Sequence, residues 1–232
     1  MKSINSIMGF GASILAVIFL LAYIFLNFLS PATAWNGLQT YIAGFSFSQM
    51  FWLFPAFFLA MTLVVLMSSI HYHVTENRKT FSLVALIFIA IYAAIITINY
   101  FLQLTVVRPN LLSGETEGLS LFAMTNPNGI FIALESLGYL IQEFAFLFVA
   151  FAFTGSKLQQ AIRWTFLINF VAGLLSLAGM YLVDSMVLVV ATVLVWAVTL
   201  TASGILLSVL FNRERLEAIV ARRQETISIG ES

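Results

Sequence analysis

Six long apolar runs restrict what this chain of 232 residues can fold into. They cover residues 7–29, 49–70, 81–105, 127–153, 161–183 and 186–211. Each run reaches the roughly 20 apolar residues that a helix needs to cross the hydrocarbon core of a bilayer. Because lipid offers no hydrogen-bond partner to the backbone, each run must be helical. The sequence therefore predicts an all-α membrane protein, folded as a bundle of six transmembrane helices.

Composition agrees with this fold class and excludes several functions. Charged residues make up only 9% of the chain, against about a quarter in soluble domains. No linker is long enough to separate domains, so we expect one transmembrane domain over residues 1–211 and a basic tail over 212–232. Zero net charge without a basic face argues against nucleic acid. The absence of cysteine excludes disulfides and thiolate chemistry.

The basic residues predict the orientation of the bundle. Of the ten Lys and Arg residues, only Arg108 falls in a connection on the opposite side, beside Glu115 and Glu117. Basic residues favour cytoplasmic loops, so we expect both termini in the cytoplasm and the protein in the cytoplasmic (inner) membrane of a prokaryote. The nine residues on the expected cytoplasmic side are Lys2, Arg78, Lys79, Lys157, Arg163, Arg213, Arg215, Arg222 and Arg223.

Two acidic residues lie deep within a span, Glu135 and Glu143 of the fourth helix. Ionisable groups at such depth are costly and mark functional sites by default. Asn128, Tyr139 and Gln142 recur at spacings that place them on the same helical face as Glu135. At about 1.5 Å per residue, Glu135 lies about 7 Å towards the outer side of the midplane and Glu143 about 5 Å towards the cytoplasm.

Other helices carry polar residues at matching depths. Asn99 of the third helix is level with Glu135, and Asn169 of the fifth is level with Glu143. The sixth helix contributes a stripe that includes Trp196. These faces predict a polar cavity open to the outside, lined by Glu135, Tyr139, Asn99 and Trp196, with Glu143, Gln142 and Asn169 as its floor or a proton path. For the neutral residues, hydrogen bonds between helices are the favoured alternative.

No deep Lys or Arg is available to pair with the two carboxyl groups. They must therefore be protonated, hydrated, or neutralised by a bound cation or cationic ligand. A protein that binds or moves a small or lipid-like molecule is the leading interpretation. A membrane enzyme acting on a lipid or isoprenoid, with the two Glu as acid and base, and a non-catalytic partner subunit stay open. Enzymatic activity is not the favoured interpretation, catalytic residues are unknown, and membrane lipids are the expected surroundings.

The sequence suggests no cofactor and no metal site. His71, His73 and Glu76 lie close together at a helix end, but residues two apart on a helix point away from each other. Three or four convergent ligands are required to hold a metal such as zinc. The chain also lacks the motifs of familiar hydrolases and phosphate-binding loops.

The residues Asn126-Pro127, Ala133-Leu134-Glu135 and Leu137-Gly138-Tyr139 give the fourth helix a recognisable pattern. It resembles one found in uncharacterised prokaryotic multi-pass membrane proteins that carry a domain-of-unknown-function label. The resemblance implies a bundle of six or seven helices. It implies no activity, because none is assigned to that family.

Overall fold

The regular structure of the described chain is helical. A computed structural model describes the backbone of residues 2–230 and the side chains of residues 4–221. A π-helical turn lies at Gln103–Val107, and 3-10 turns lie at Phe47–Met50 and Glu76–Arg78. Over this range the α-helices are α1 (Lys2–Leu29), α2 (Leu38–Gly44), α3 (Leu53–His73), α4 (Lys79–Leu102), α5 (Arg108–Ser113), α6 (Leu119–Phe122), α7 (Ile130–Ala152), α8 (Lys157–Tyr181) and α9 (Met186–Gly230).

In the part of the chain that the structure describes, six helical segments are long and apolar enough to cross a membrane. They are built on α1, α3, α4, α7, α8 and the first part of α9, and they correspond to the six predicted spans. The all-helical fold and the number of spans are thereby confirmed. Together these helices indicate a multi-pass membrane protein.

The six long helices form a closed ring in chain order. Each packs against its neighbours in sequence, and α9 returns to pack against α1. At one end of the bundle His73, at the end of α3, shares a 2.6 Å hydrogen bond with Glu214 of α9, and Asn5 of α1 donates to the carbonyl oxygen of Ser69. We call this the terminal end, because α1 begins there. The opposite end carries the two long connections, and we call it the loop end.

Several helix boundaries differ from the predicted ones. The fourth span was expected to begin at Pro127, but α7 begins at Ile130. The side chain of Asn126 accepts a hydrogen bond from the backbone of Asn128 at 3.0 Å, and the carbonyl oxygen of Asn126 accepts one from Gly129 at 2.9 Å. This local turn competes with the helix. Asn128 therefore lies before α7 and does not extend its polar face.

The connection predicted over 106–126 is also partly helical. The third span continues through the π-helical turn and α5 as far as Ser113. At the other end of the chain, α9 runs without interruption past residue 211, so the last span and the start of the basic tail belong to one helix. The side chains of Arg222 and Arg223 lie outside the described ones.

Small residues allow the ring to close between α1 and α9. A Cβ on Gly9 would lie 2.7 Å from the ring of Phe211, which is fully buried. A Cβ on Gly204 would lie 2.5 Å from the side chain of Val17. Because atoms at these distances overlap, glycine permits an approach between the two helices that alanine would prevent.

We therefore expect Gly9→Ala to destabilise the bundle by about 1–3 kcal/mol, the usual cost of overpacking. The matched control is Gly11→Ala, since a Cβ at Gly11 meets no atom within 4 Å among the described residues. Alanine there gains about 1 kcal/mol of helix propensity over glycine. Thermal unfolding of both variants in one detergent checks the comparison. Equal melting temperatures would contradict the closing role of Gly9.

Candidate functional site

A cavity of about 170 Å³ lies among α1, α7, α8 and α9, in the half of the bundle nearer the loop end. All of its lining residues belong to helices rather than to connections. Both acidic residues of α7 contribute to its wall. The lining residues are Tyr23, Ile132, Glu135, Ser136, Tyr139, Glu143, Gly173, Ser176, Leu177, Met180, Val193 and Trp196.

Glu143 is the most unusual of these residues. Its side chain is 1% exposed, and its Oε2 atom has no hydrogen-bond partner among the described residues. The carboxyl lies against the backbone of α8 at Gly173, where a Cβ would overlap it. A buried polar group without a partner costs stability. Gly173 therefore provides the space for a carboxyl group that the fold itself does not satisfy.

Glu135 has a different environment, although it lines the same cavity. It is half-buried, and its Oε1 atom accepts a 2.8 Å hydrogen bond from the hydroxyl of Tyr100. Tyr100 lies on α4 and is 1% exposed. This bond joins α4 to α7 and fixes the Glu135 carboxyl. One carboxyl is thus held by the protein, and the other is not.

The two glutamates are far apart along the backbone of α7. Glu143 follows Glu135 by eight positions, which corresponds to an axial backbone rise of about 12 Å. Acid and base pairs that act on one bond, as in glycoside hydrolases, are typically about 5–9.5 Å apart. The arrangement therefore suits two contacts with an elongated molecule better than joint action on a single bond.

Aromatic side chains form another part of the cavity wall. The rings of Tyr139 and Trp196 pack edge to face with centroids 5.9 Å apart. Tyr139 also contacts Tyr92, and Tyr23 contacts Trp52, with centroids 6.1 Å and 5.6 Å apart. Aromatic faces attract cations with an energy of about 0.5–2 kcal/mol. They therefore complement the carboxyl groups as surroundings for a positive charge.

No basic side chain lines this cavity in the described part of the chain. Among the described residues, the ion pairs are His73 with Glu214 and Lys79 with Glu76. Both pairs lie near the terminal end, away from the cavity. Arg163 lies over the ring of Phe151, 5.4 Å from its centroid, instead of reaching a carboxyl. Within residues 4–221, therefore, neither cavity carboxyl has a counter-charge.

Two of the predicted site residues join helices instead of lining the cavity. Asn99 donates to the carbonyl oxygen of Phe131 at 3.0 Å. Asn169 donates to the carbonyl oxygen of Trp196 at 3.0 Å and to the hydroxyl of Thr199 at 2.8 Å. These are the interhelical bonds that the alternative interpretation of the neutral residues describes. The structure thus brings together Glu135, Tyr139, Glu143 and Trp196, and it places Asn99 and Asn169 outside the cavity wall.

Gln142 is also absent from the wall, although it is fully buried. Neither amide atom of its side chain has a hydrogen-bond partner among the described residues, and the same holds for the Oδ1 atom of Asn169. A proton path through Glu143, Gln142 and Asn169 stays a prediction.

The histidines at the terminal end have partners of their own. His71 shares a 2.9 Å hydrogen bond with Ser82 of α4, and His73 is paired with Glu214 and lies 3.4 Å from Gln159. No group of three residues suited to a metal occurs among the described ones. A space of about 620 Å³ beside His73 is lined by residues of α1, α3 and α9.

Several residues of the site were not anticipated from the sequence. Tyr100 was not singled out, although it directly follows Asn99. Ser136, Ser176 and Gly173 also line the cavity. The helical spacing of Gly173, Ser176, Leu177 and Met180 was the available signal, since positions three, four and seven apart share a face.

No family model, no curated protein and no solved structure matches this chain. A function must therefore be inferred from the geometry of the site itself.

The contrast between the two carboxyl groups predicts opposite effects on stability. Glu135→Leu leaves the buried Tyr100 hydroxyl without its acceptor, so we expect a loss of about 1–3 kcal/mol. Glu143→Leu removes a carboxyl that lacks a partner, so we expect a gain of about 1 kcal/mol. Thermal unfolding of both variants under identical conditions measures the difference. A destabilised Glu143→Leu variant would indicate that this carboxyl supports the fold.

Proposed function

We propose that this protein binds, and moves within or across the membrane, a small or lipid-like molecule that carries a positively charged, hydrogen-bond-donating group. Glu143 receives this group, with Glu135, Tyr139 and Trp196 as the surrounding contacts. One observation carries the proposal: Glu143 is 1% exposed, lines a cavity, and has an oxygen without a partner among the described residues.

The physical argument concerns the cost of an unsatisfied carboxyl. Within the membrane, such a group faces a water-filled cavity, pairs with another polar group or marks a substrate pathway. The described side chains supply no partner for its Oε2 atom and no basic residue in the cavity wall. A cationic donor would satisfy the oxygen and contact aromatic faces at once. The cavity has the volume of about five or six water molecules, so it suits a small head group.

Two alternatives have some support. A non-catalytic partner subunit is favoured by Asn99 and Asn169, whose amides join helices. It leaves Glu143 unexplained, because a purely structural carboxyl would be bonded between helices. A lipid-modifying enzyme would need access from the bilayer beside α7, and a groove does lie there. The axial separation of the carboxyl groups weakens a shared acid–base role.

Ligand binding can be tested with n-butylamine, which is cationic at neutral pH, and with n-butanol as its uncharged analogue. We expect millimolar butylamine, but not butanol, to raise the melting temperature of the full-length protein in lipid nanodiscs. Glu143→Gln should abolish the rise and Glu135→Gln should reduce it. Glu117→Gln is the matched control, since it makes the same chemical change at an exposed carboxyl. Equal rises in the wild type and Glu143→Gln would refute the proposal.

We also propose that the protein lies in the cytoplasmic membrane of a prokaryote with both termini in the cytoplasm. The support for this orientation is the position of the charges. Lys2, Arg78, Lys157 and Arg213 lie near the terminal end of the bundle, whereas Arg108 begins α5 at the loop end. Basic residues are concentrated in cytoplasmic segments of membrane proteins. The cavity then lies in the outer half of the membrane.

The cysteine-free sequence allows a direct test of this orientation. Asn36 in the first connection and Asn77 before α4 are both exposed, at opposite ends of the bundle. A membrane-impermeant maleimide added to intact cells should label Asn36→Cys and not Asn77→Cys. Permeabilised cells should show labelling of both variants. The reverse pattern in intact cells would invert the proposed topology.

A further inference from the structure

A second space adjoins the cavity on the outer surface of the bundle. It is a groove between α7 and α8 with a volume of about 360 Å³. Leu137, Tyr181 and Leu182 form part of it and are 46%, 55% and 83% exposed, so they face the surrounding lipid. Apart from Ser136 and the Tyr181 hydroxyl, its lining is apolar. The remaining residues of the groove are Leu140, Leu174, Leu177 and Ala178.

Two residues line both spaces. Ser136 of α7 and Leu177 of α8 contribute to the wall of the cavity and to the wall of the groove. The hydroxyl of Ser136 also shares a 2.8 Å hydrogen bond with the hydroxyl of Tyr181, across the gap between the two helices. The cavity and the lipid-facing groove thus meet at the side chains of Ser136 and Leu177. We call this boundary the α7–α8 seam.

We infer that the ligand is an amphiphile, with a cationic amine head and a single apolar chain, and that it enters from the bilayer through the α7–α8 seam. This inference rests on the proposed function. The head lies in the cavity against Glu143, and the chain passes between Ser136 and Leu177 into the outer groove. The bond between Ser136 and Tyr181 closes the seam when no ligand is present.

The two spaces complement the two parts of such a molecule. The cavity offers carboxyl groups and aromatic rings and has no basic residue in its described wall, so it selects a positive head group. The groove offers mainly leucine and alanine, so it accepts hydrocarbon without requiring a hydrogen bond. A water-soluble amine would use only the cavity. The occupied groove is therefore what distinguishes an amphiphile from a soluble ligand.

Entry of the ligand through the α7–α8 seam requires only small side-chain rearrangements. Entry requires the Ser136–Tyr181 hydrogen bond to open and the side chain of Leu177 to change rotamer, and both are small rearrangements. The charged head would cross only the boundary between groove and cavity before it met the carboxyl groups. No connection between helices lines the cavity, so this route requires no loop to move.

The test compares n-dodecylamine with n-butylamine, which share the head group and differ in the chain. Ala178→Trp fills the groove without altering the cavity, because Ala178 lines only the groove. The matched control is Leu175→Trp, at an exposed position of α8 that lines neither space. Binding is measured by calorimetry on the full-length protein in lipid nanodiscs, with Glu143→Gln to identify binding at the cavity.

We expect Ala178→Trp to weaken the Glu143-dependent binding of dodecylamine by about tenfold or more, since the chain loses its place in the groove. The binding of butylamine should be unchanged, and Leu175→Trp should affect neither amine. If Ala178→Trp leaves both affinities unchanged, the amphiphile inference fails while the proposed function stands. If neither amine binds the wild type in a Glu143-dependent manner, both the amphiphile inference and the proposed function fail.

A second measurement uses the wild-type protein and does not depend on the folding of a variant. Dodecylamine with a diazirine at the end of its chain is photoactivated in nanodiscs, and the labelled residues are mapped by mass spectrometry. We expect labels on Leu174, Ala178 and Leu140 of the groove, and competition by unlabelled dodecylamine. Labels distributed over all lipid-facing helices without competition would overturn the inference.

Discussion

The inability of hydrocarbon to form hydrogen bonds determines most of this structure. It requires helices wherever the chain crosses the bilayer, and it requires every polar side chain within the bundle to find a partner there. Asn99 and Asn169 meet the requirement by donating to backbone carbonyls of neighbouring helices. Glu135 meets it through Tyr100. The Oε2 atom of Glu143 has no partner among the described residues, and unlike the unpartnered amide atoms of Gln142 it belongs to a residue of the cavity wall.

The ring of helices is filled unevenly, and the cavity follows from this difference. Between α1, α3 and α4, the rings of Tyr23, Trp52 and Tyr100 pack against one another and occupy the interior. Between α7, α8 and α9, smaller residues such as Gly173 and Ser176 face inward and leave space. Closure of α9 onto α1 at Gly9 and Gly204 holds the two halves together. The cavity is thus a consequence of side-chain size in an otherwise regular bundle.

Hydropathy was sufficient to predict the six spans and the all-helical fold, because length and apolar character are properties of each helix alone. It also identified the four cavity residues Glu135, Tyr139, Glu143 and Trp196 as candidates. It could not decide that Asn99 and Asn169 would bond to backbone, since this depends on the rotation of each helix against its neighbour.

The rotation and neighbours of each helix also explain why Tyr100 and Ser136 were not predicted as site residues. Tyr100 bonds to Glu135 and Ser136 lines the cavity only because of the helices that adjoin α7. The start of α7 at Ile130 depended on a turn around Asn126 that apolar periodicity does not register.

The close approach of Glu143 to Gly173 has a consequence for how this protein can change over time. The two positions share one volume, on different helices, so a side chain cannot be added at 173 while the glutamate is present. A larger residue at 173 becomes acceptable only after a smaller one has replaced the glutamate, and the carboxyl can be regained only if the glycine returns first. In a set of related sequences, positions 143 and 173 would therefore be expected to covary. Such a correlation would mark descendants that retain the same cavity and separate them from those that have lost it.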